Sequence, residues 1–215
     1  MPESREMPHR SPRRVLICDA ALDLVASGGS HALTHHAVDK RLGLALGSTS
    51  YYFRTRSALV TAAISHLTER SRDSFRQLST ATASTDRPPT IGEATVVVAD
   101  YLEVLLTERR RDVLARYALA APAALDEDLS RALGECLFGP RAAVELLRAA
   151  GARDIETGAR DFTSLLEGLL FDLTYGARAQ DFRTDSSGRA TQLRTAVGRW
   201  LGALCSAPER DCSSR

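Results

Sequence analysis

The side chains best suited to recognition chemistry are concentrated in ten residues, Gly47 to Arg56, reading GSTSYYFRTR. Ser48, Thr49 and Ser50 are short hydrogen-bond donors and acceptors. Tyr51 and Tyr52 each carry a ring and a hydroxyl, Phe53 a ring alone, and Arg54 and Arg56 a fixed positive charge. A buried strand would use branched apolar residues here, and a plain loop has no need of three successive aromatics. Holding a DNA duplex needs contacts to phosphates, for affinity and register, and contacts to base edges, for sequence choice. The stretch supplies both. Gly47 lets the backbone approach closely. The three hydroxyls sit where a short helix begins, whose free amides favour phosphate, and a threonine methyl can touch thymine. Tyr51 and Tyr52 can each send a hydroxyl to phosphate while a ring packs inward. Phe53 reads as a core anchor, and Arg54 and Arg56 as backbone contacts. Just upstream, Thr34 can cap a helix whose end points at the duplex, with His35 and His36 beside it. Arg13 and Arg14 are either a solvated charge run or part of an arm reaching the minor groove.

Other chemistries lack their residues. The chain has no G-x-S-x-G, no H-E-x-x-H, no phosphate-binding glycine loop and no metal-ligand cluster. No catalytic residue, metal or cofactor is expected, and the chain does not read as an enzyme. Cys18, Cys136, Cys205 and Cys212 are far apart and form no C-x-x-C pair, which suits single thiols in a reducing compartment. No apolar run approaches the roughly 20 residues that span a bilayer. The polar start MPESREMPHRSPRR lacks the apolar core of a secretory signal. A cytoplasmic protein without membrane contact is expected. The net charge of +1 is unevenly spread: through Arg56, eight Lys/Arg face five Asp/Glu, and four of the five histidines lie there. A mildly basic head on a near-neutral body suits a nucleic-acid-facing domain.

The elements that must position these residues read as helices throughout. Ser11 and Pro12 can start a first helix to Ser27, with Leu16, Ile17, Ala20, Ala21, Leu24 and Val25 as its apolar stripe and Gly28-Gly29 ending it. A short helix covers His35–Leu42, Gly43 stops it, and Leu44-Ala45-Leu46 turns into a second short helix through Tyr52. Two short helices joined by such a turn have helix-turn-helix dimensions. Ser57 can cap a long helix to about Ser79, and residues 80–90 read as a loop. Thr90 and Glu93 form a capping box for a helix to about Arg110. Helical segments follow over 112–121, after Asp126 or Asp128, over 140–150, from Asp154 to Arg178, and over 188–206, the last holding the only tryptophan, Trp200. The chain reads as all-α with about nine helices. Residues 1–10 form a disordered N-terminal arm and 11–56 a three-helix DNA-binding domain. Residues 57–206 form a helical effector-binding and dimerisation domain, and 207–215 a flexible tail.

The first 65 residues resemble the DNA-binding domain of the TetR family of transcriptional regulators. The resemblance rests on Ala20-Ala21, Gly29, Leu33-Thr34, Val38, Leu42-Gly43, Gly47, Tyr51-Tyr52-Phe53, Arg56 and Leu59, and it is strong over residues 13–64. Three positions depart from the commonest pattern: Asp39 for a small alanine, Ser50 for an aromatic, and Arg56 for a lysine. The first bears on packing between the motif helices, the second on the register of base contacts. The resemblance implies a repressor that holds a palindromic double-stranded DNA operator as a homodimer and is released by a small-molecule effector; the alternatives are a helical interaction or ligand-binding module that has lost operator binding, or an activator. It places the dimer contact on the last two long helices, where Gly158, Gly168, Gly176, Gly198 and Gly202 permit close approach. Leu165, Leu169, Leu173, Leu193, Val197, Trp200, Leu201 and Leu204 would supply buried area there. It places the effector among the middle helices, with Tyr101, Leu105, Arg116, Tyr117, Phe138, Phe162, Leu166, Glu167 and Phe171 as candidate lining. Glu167 and Asp172 sit in apolar runs where an unpaired carboxylate is costly. They face solvent or a dimer edge, or pair with Arg116 or a polar ligand.

Overall fold

The computed structural model describes residues 11–82, 87–184 and 188–205. The expected arm, the tail with Cys212, and part of the 80–90 loop lie outside the described residues. Eleven α-helices and one 3-10 turn make up the described elements, and no strand occurs among them. They are α1 (Pro12–Gly28), the 3-10 turn (Ser30–Ala32), α2 (His35–Leu42), α3 (Ser48–Tyr52) and α4 (Arg56–Thr82). Then follow α5 (Ile91–Leu106), α6 (Arg110–Ala123), α7 (Glu127–Gly134), α8 (Pro140–Ala149), α9 (Ile155–Thr174), α10 (Ala179–Thr184) and α11 (Arg189–Cys205). The all-α expectation holds. Nine of the eleven helices have seven or more residues, in line with the expected count of about nine; the apolar run expected to stay helical to Arg178 stops at Thr174. A turn follows, in which Arg178 Nε donates to Asp172 Oδ2 at 2.6 Å, and α10 starts after it. Helix α4 also runs on through Thr82, three residues into the expected loop.

The chain divides into two compact units. The first comprises the residues up to Glu69 together with Arg111–Cys136; the second comprises Arg70–Arg110 and the residues from Leu137 onward.

In the first unit, α1 buries Ile17, Cys18, Ala21, Leu22 and Val25, while Leu16 is half-exposed. The buried stripe is therefore rotated from the expected one, with Leu22 and Cys18 replacing Leu16 and Leu24. Leu33, Val38, Phe53, Leu59, Ile64 and Leu67 join this core, with Val113, Leu119 and Leu133 from α6 and α7. A charge cluster absent from the sequence reading joins α1 to the start of α6. The Arg111 guanidinium donates to Asp23 at 2.9 Å and to Asp19 at 3.2 Å, which lie one turn apart on α1, and to Asp112 at 2.8 Å. Arg41 of α2 also grips Asp23 at 2.8 Å, and His66 of α4 approaches Asp19 at 3.3 Å. Asp112 is only 1% exposed. Burial alone would ease the proton off Arg111, but the carboxylates around it hold it firmly charged, well above the ordinary arginine value.

In the second unit, α5 packs along α11 and α8 along α9. Thr90 accepts from the Glu93 amide while the Glu93 carboxylate accepts from the Thr90 amide, so the expected capping box is present. Arg87 adds a two-point grip on Glu93, and these contacts hold its carboxyl at about 2. Gly198 lies against Thr95 of α5 and Gly158 against Leu147 and Leu204, so these two glycines serve packing within the chain. Leu169, Leu173, Leu193, Val197 and Leu201 are likewise buried inside the chain and are not free for a partner. Leu165, Phe171 and Tyr175 remain exposed, and Gly168 and Gly202 face open space.

Candidate nucleic-acid interface

Local sequence builds the α2–turn–α3 pair. Thr34 accepts from the Ala37 amide and starts α2. Gly43, at φ 62°, ends it in the left-handed region that a residue with a side chain rarely adopts. Gly47 sits at φ 90° and caps α3, a second position that favours glycine. Between them, the Ser48 amide and hydroxyl both donate to the Ala45 carbonyl, at 3.0 and 2.6 Å, which closes the turn.

Asp39 is the joint between the two helices. Its Oδ2 accepts from the Gly47 amide at 2.8 Å. Its Oδ1 accepts from the Thr49 amide at 2.8 Å and from the Thr49 hydroxyl at 2.6 Å. Burial pushes the Asp39 carboxyl up, but the Thr49 hydroxyl and the two amides outweigh it and hold the group below the usual aspartate value. The departure from a small alanine at this position is thus a three-bond staple. Its signal in the sequence is a buried-face aspartate followed by a glycine and a hydroxyl residue at the start of the next helix.

The far end of α3 is held from outside. The His35 imidazole approaches the Phe53 carbonyl at 2.7 Å, and because a carbonyl only accepts, Nε2 carries the proton. Arg14 donates to the Tyr52 carbonyl at 3.2 Å, and its guanidinium lies 4.4 Å from the Phe53 ring centre. Arg56 donates to the carbonyls of Leu33 and Ser30.

These contacts redistribute the expected DNA-facing residues. Thr49 has no exposed surface, so its expected base or phosphate contact is corrected: the side chain belongs to Asp39. His35 and Arg56, expected at the duplex, have ring or guanidinium nitrogens committed to this chain's own carbonyls. Thr34 spends its hydroxyl on its cap. Ser48 and Tyr52 are half-buried. Gly47, Ser50, Tyr51 and Arg54 are exposed, Tyr51 by 83%. On α3 itself, exposed Ser50 and Tyr51 stand apart from buried Thr49, while Gly47 precedes the helix and Arg54 follows it past the extended Phe53. The Tyr51 and Tyr52 rings meet edge to face, 5.3 Å apart.

The candidate effector residues are mostly core. Tyr101, Leu105, Phe138, Phe162 and Leu166 are buried in the second unit. Tyr101 donates to the Leu137 carbonyl at 2.6 Å and packs edge-on between Phe75 and Phe138. Arg116 and Tyr117 belong to the first unit, half-buried, with the guanidinium 5.5 Å from the tyrosine ring centre. Phe171 is 51% exposed and tilts against Tyr175, so it does not line an interior space. Glu167 is half-buried. Asp172 pairs with Arg178, whose hydrogen bond holds the carboxyl below its usual range, and this replaces the alternatives of Arg116 or a ligand. A groove of about 480 Å³ opens where α6 meets α7, lined by residues including Leu125, Asp126 and Arg131, none of them an expected effector residue.

Residues 89–203 match the family model described as Tetracyclin repressor-like, C-terminal domain. No curated protein matches the chain. Among solved structures, the chain is similar to a TetR-family member from Streptomyces coelicolor A3, at 25% identity and TM-score 0.63, covering 88% of this chain and 98% of that one. It is similar to the multidrug-binding protein EbrR, solved with imidazole, at 25% identity and TM-score 0.61, covering 93% and 98%. A protein from Saccharomonospora viridis in complex with choline shares the fold at 16% identity and TM-score 0.64, covering 89% and 96%.

Proposed function

This chain belongs to the TetR family of transcriptional regulators, a family of non-enzymatic transcription factors, and on that premise we propose that it is a repressor holding a palindromic DNA operator as a homodimer until a small-molecule effector releases it. The observation that carries the proposal is the exposed set of Gly47, Ser50, Tyr51 and Arg54 on and flanking a short helix stapled to its neighbour by Asp39. A five-residue helix has no independent stability in water, yet this one is fixed at both ends by side chains from α1 and α2. Such rigidity serves readout of base edges, where the contacting groups must be held in place before binding. Ser50 and Tyr51 take the base edges and Arg54 the phosphates. Thr34 and Ser48 contribute backbone contacts at the rim. Tyr52 and His35 act through the position of α3, and Arg56 through the segment that leads into α2, where it holds the Ser30 and Leu33 carbonyls.

One such head reads only a few base pairs, so a two-fold dimer on a symmetric site is the economical solution. The exposed Leu165 and Phe171 of α9 and Tyr175 just past its end, beside open Gly168, support the last two long helices as the dimer contact. Imidazole and choline bound by similar proteins support a small-molecule effector for this one. Tyr101, Phe138 and Phe162 are buried core residues of the second unit, so an effector that used them would have to stabilise a repacked arrangement. Residues 11–56 carry DNA binding and 57–206 effector binding and dimerisation, in the cytoplasm. No helix among the described residues is long and apolar enough to cross a membrane.

The test is selection from a random-sequence duplex library with the full chain. A two-fold symmetric motif should be enriched, and Tyr51→Ala should lose it while the circular dichroism spectrum stays unchanged. Recovery of unrelated sequences by the unmodified protein would refute the proposal.

A further inference from the structure

We propose that Leu46 is a specificity-determining residue that reads the C5-methyl group of a pyrimidine in the major groove. The inference rests on the DNA-interface reading above and deepens it. Leu46 is 79% exposed, at the tip of the turn between α2 and α3. Isolated exposed leucines are common on protein surfaces; the placement and rigidity of this one distinguish it. The turn closes by the two hydrogen bonds from Ser48 to the Ala45 carbonyl, and the amide that follows Leu46, that of Gly47, is pinned to the Asp39 carboxylate at 2.8 Å. The backbone on both sides of Leu46 is therefore fixed. The turn's conformational demand falls on Gly47 at φ 90°, not on Leu46, so turn geometry does not call for a leucine. Leu46 directly precedes the exposed set of Gly47, Ser50 and Tyr51.

A leucine side chain has no donor or acceptor. On the major-groove edge the only apolar group is the methyl at C5, which thymine carries and cytosine lacks. Opposite a bare base edge the leucine would strip water from polar atoms and return no hydrogen bond. Opposite a C5-methyl, both apolar surfaces leave water together. The pair favours a methylated pyrimidine over an unmethylated one.

The experiment uses the duplex enriched by the full chain and replaces thymine by uracil, position by position. That removes only the methyl and leaves base pairing intact. One contacted methyl is worth about a three- to fivefold loss of affinity, and two symmetric half-sites about ten- to twenty-five-fold. The expected result is such a loss at one symmetric pair of positions in the unmodified protein, and no further loss in Leu46→Ala. If the preferred base there is cytosine, binding that rises on C5-methylation, and does so only with Leu46 present, identifies 5-methylcytosine as the source of the same methyl. Uracil substitution without effect at any position and without a methylated-cytosine response, or losses equal in both proteins, overturns the inference while leaving DNA recognition intact. Failure of the unmodified protein to enrich any sequence overturns both. Leu46 is exposed, so Leu46→Ala keeps the fold, and the uracil arm on the unmodified protein requires no variant.

Discussion

Replacing Thr49 with valine removes one hydroxyl from the joint between α2 and α3 and keeps the branched shape that fills the site. Thr49 is fully buried, and its hydroxyl donates to the Asp39 carboxylate at 2.6 Å. A hydrogen bond to a charged acceptor contributes about 1.5–3 kcal/mol net, so Thr49→Val should cost the reading head about 2 kcal/mol. The Thr49 amide still reaches Asp39, which limits the damage. Asp39→Ala removes all three acceptor contacts and strands the buried Thr49 amide and hydroxyl, for a larger loss of about 3–4 kcal/mol. If the two residues form one staple, the effects are not additive, and the double variant should reveal a coupling of about 1–2 kcal/mol. Urea denaturation at neutral pH, followed by circular dichroism, measures all three. Because α3 relies on this joint for its position, Thr49→Val should also weaken operator binding under conditions where the chain remains folded. Unfolding midpoints unchanged by Thr49→Val, with additive single effects, would refute the staple.

Arg111→Met should destabilise the first unit by about 2 kcal/mol, because Asp19, Asp23 and the buried Asp112 lose a shared cation; Arg111→Lys should rescue only part of this, since a single ammonium does not match a fork shared among three carboxylates. Acid should weaken the fold in a defined direction. Asp39 and Glu93 both titrate below their ordinary values when folded, Glu93 at about 2, so their contributions are complete above those ordinary values and disappear as pH falls through the folded ones. Urea midpoints should therefore drop from pH 5 toward pH 2.5, with a shallower fall in Asp39→Ala. Phe171→Glu places a charge on an exposed aromatic face; sedimentation should show a shift from dimer to monomer with the helical spectrum preserved, and an unchanged sedimentation profile would move the dimer contact elsewhere.

The parts of the molecule legible in the sequence are those set by local rules. Thr34 as a cap, Gly43 as a stop and Thr90 with Glu93 as a capping box each depend on neighbours within a few residues, and all three appear in the structure; Phe53 was legible as an anchor from its lack of a polar tip, and it is buried. The destinations of long basic side chains were not legible. Arg14, His35 and Arg56 have the chemistry of phosphate ligands, but each finds a backbone carbonyl brought near by tertiary packing 18 or more residues away. Asp39 stood out as a departure, yet its role needed the register of α3, which only the burial of Thr49 and Phe53 reveals. The same register makes Tyr51 the outward tyrosine and leaves Tyr52 half-buried. On α9 the apolar pattern continues past Thr174, so periodicity hid the break that the Asp172–Arg178 pair marks. Aromatics expected around an effector, Tyr101 and Phe162 among them, are core residues here, because a pocket wall and a packed core use the same side chains.

The central claim is sequence-selective DNA binding through the head that carries Ser50, Tyr51 and Arg54. Its most direct test is a fluorescence-anisotropy titration of the full chain on its selected duplex and on a scrambled duplex, across a series of salt concentrations. The selected duplex should bind at least about a thousandfold more tightly. Affinity should fall steeply with salt as phosphate contacts release counterions, and Arg54→Ala should reduce the slope by about one. Weak binding of equal strength to both duplexes, with little dependence on salt, would contradict the account.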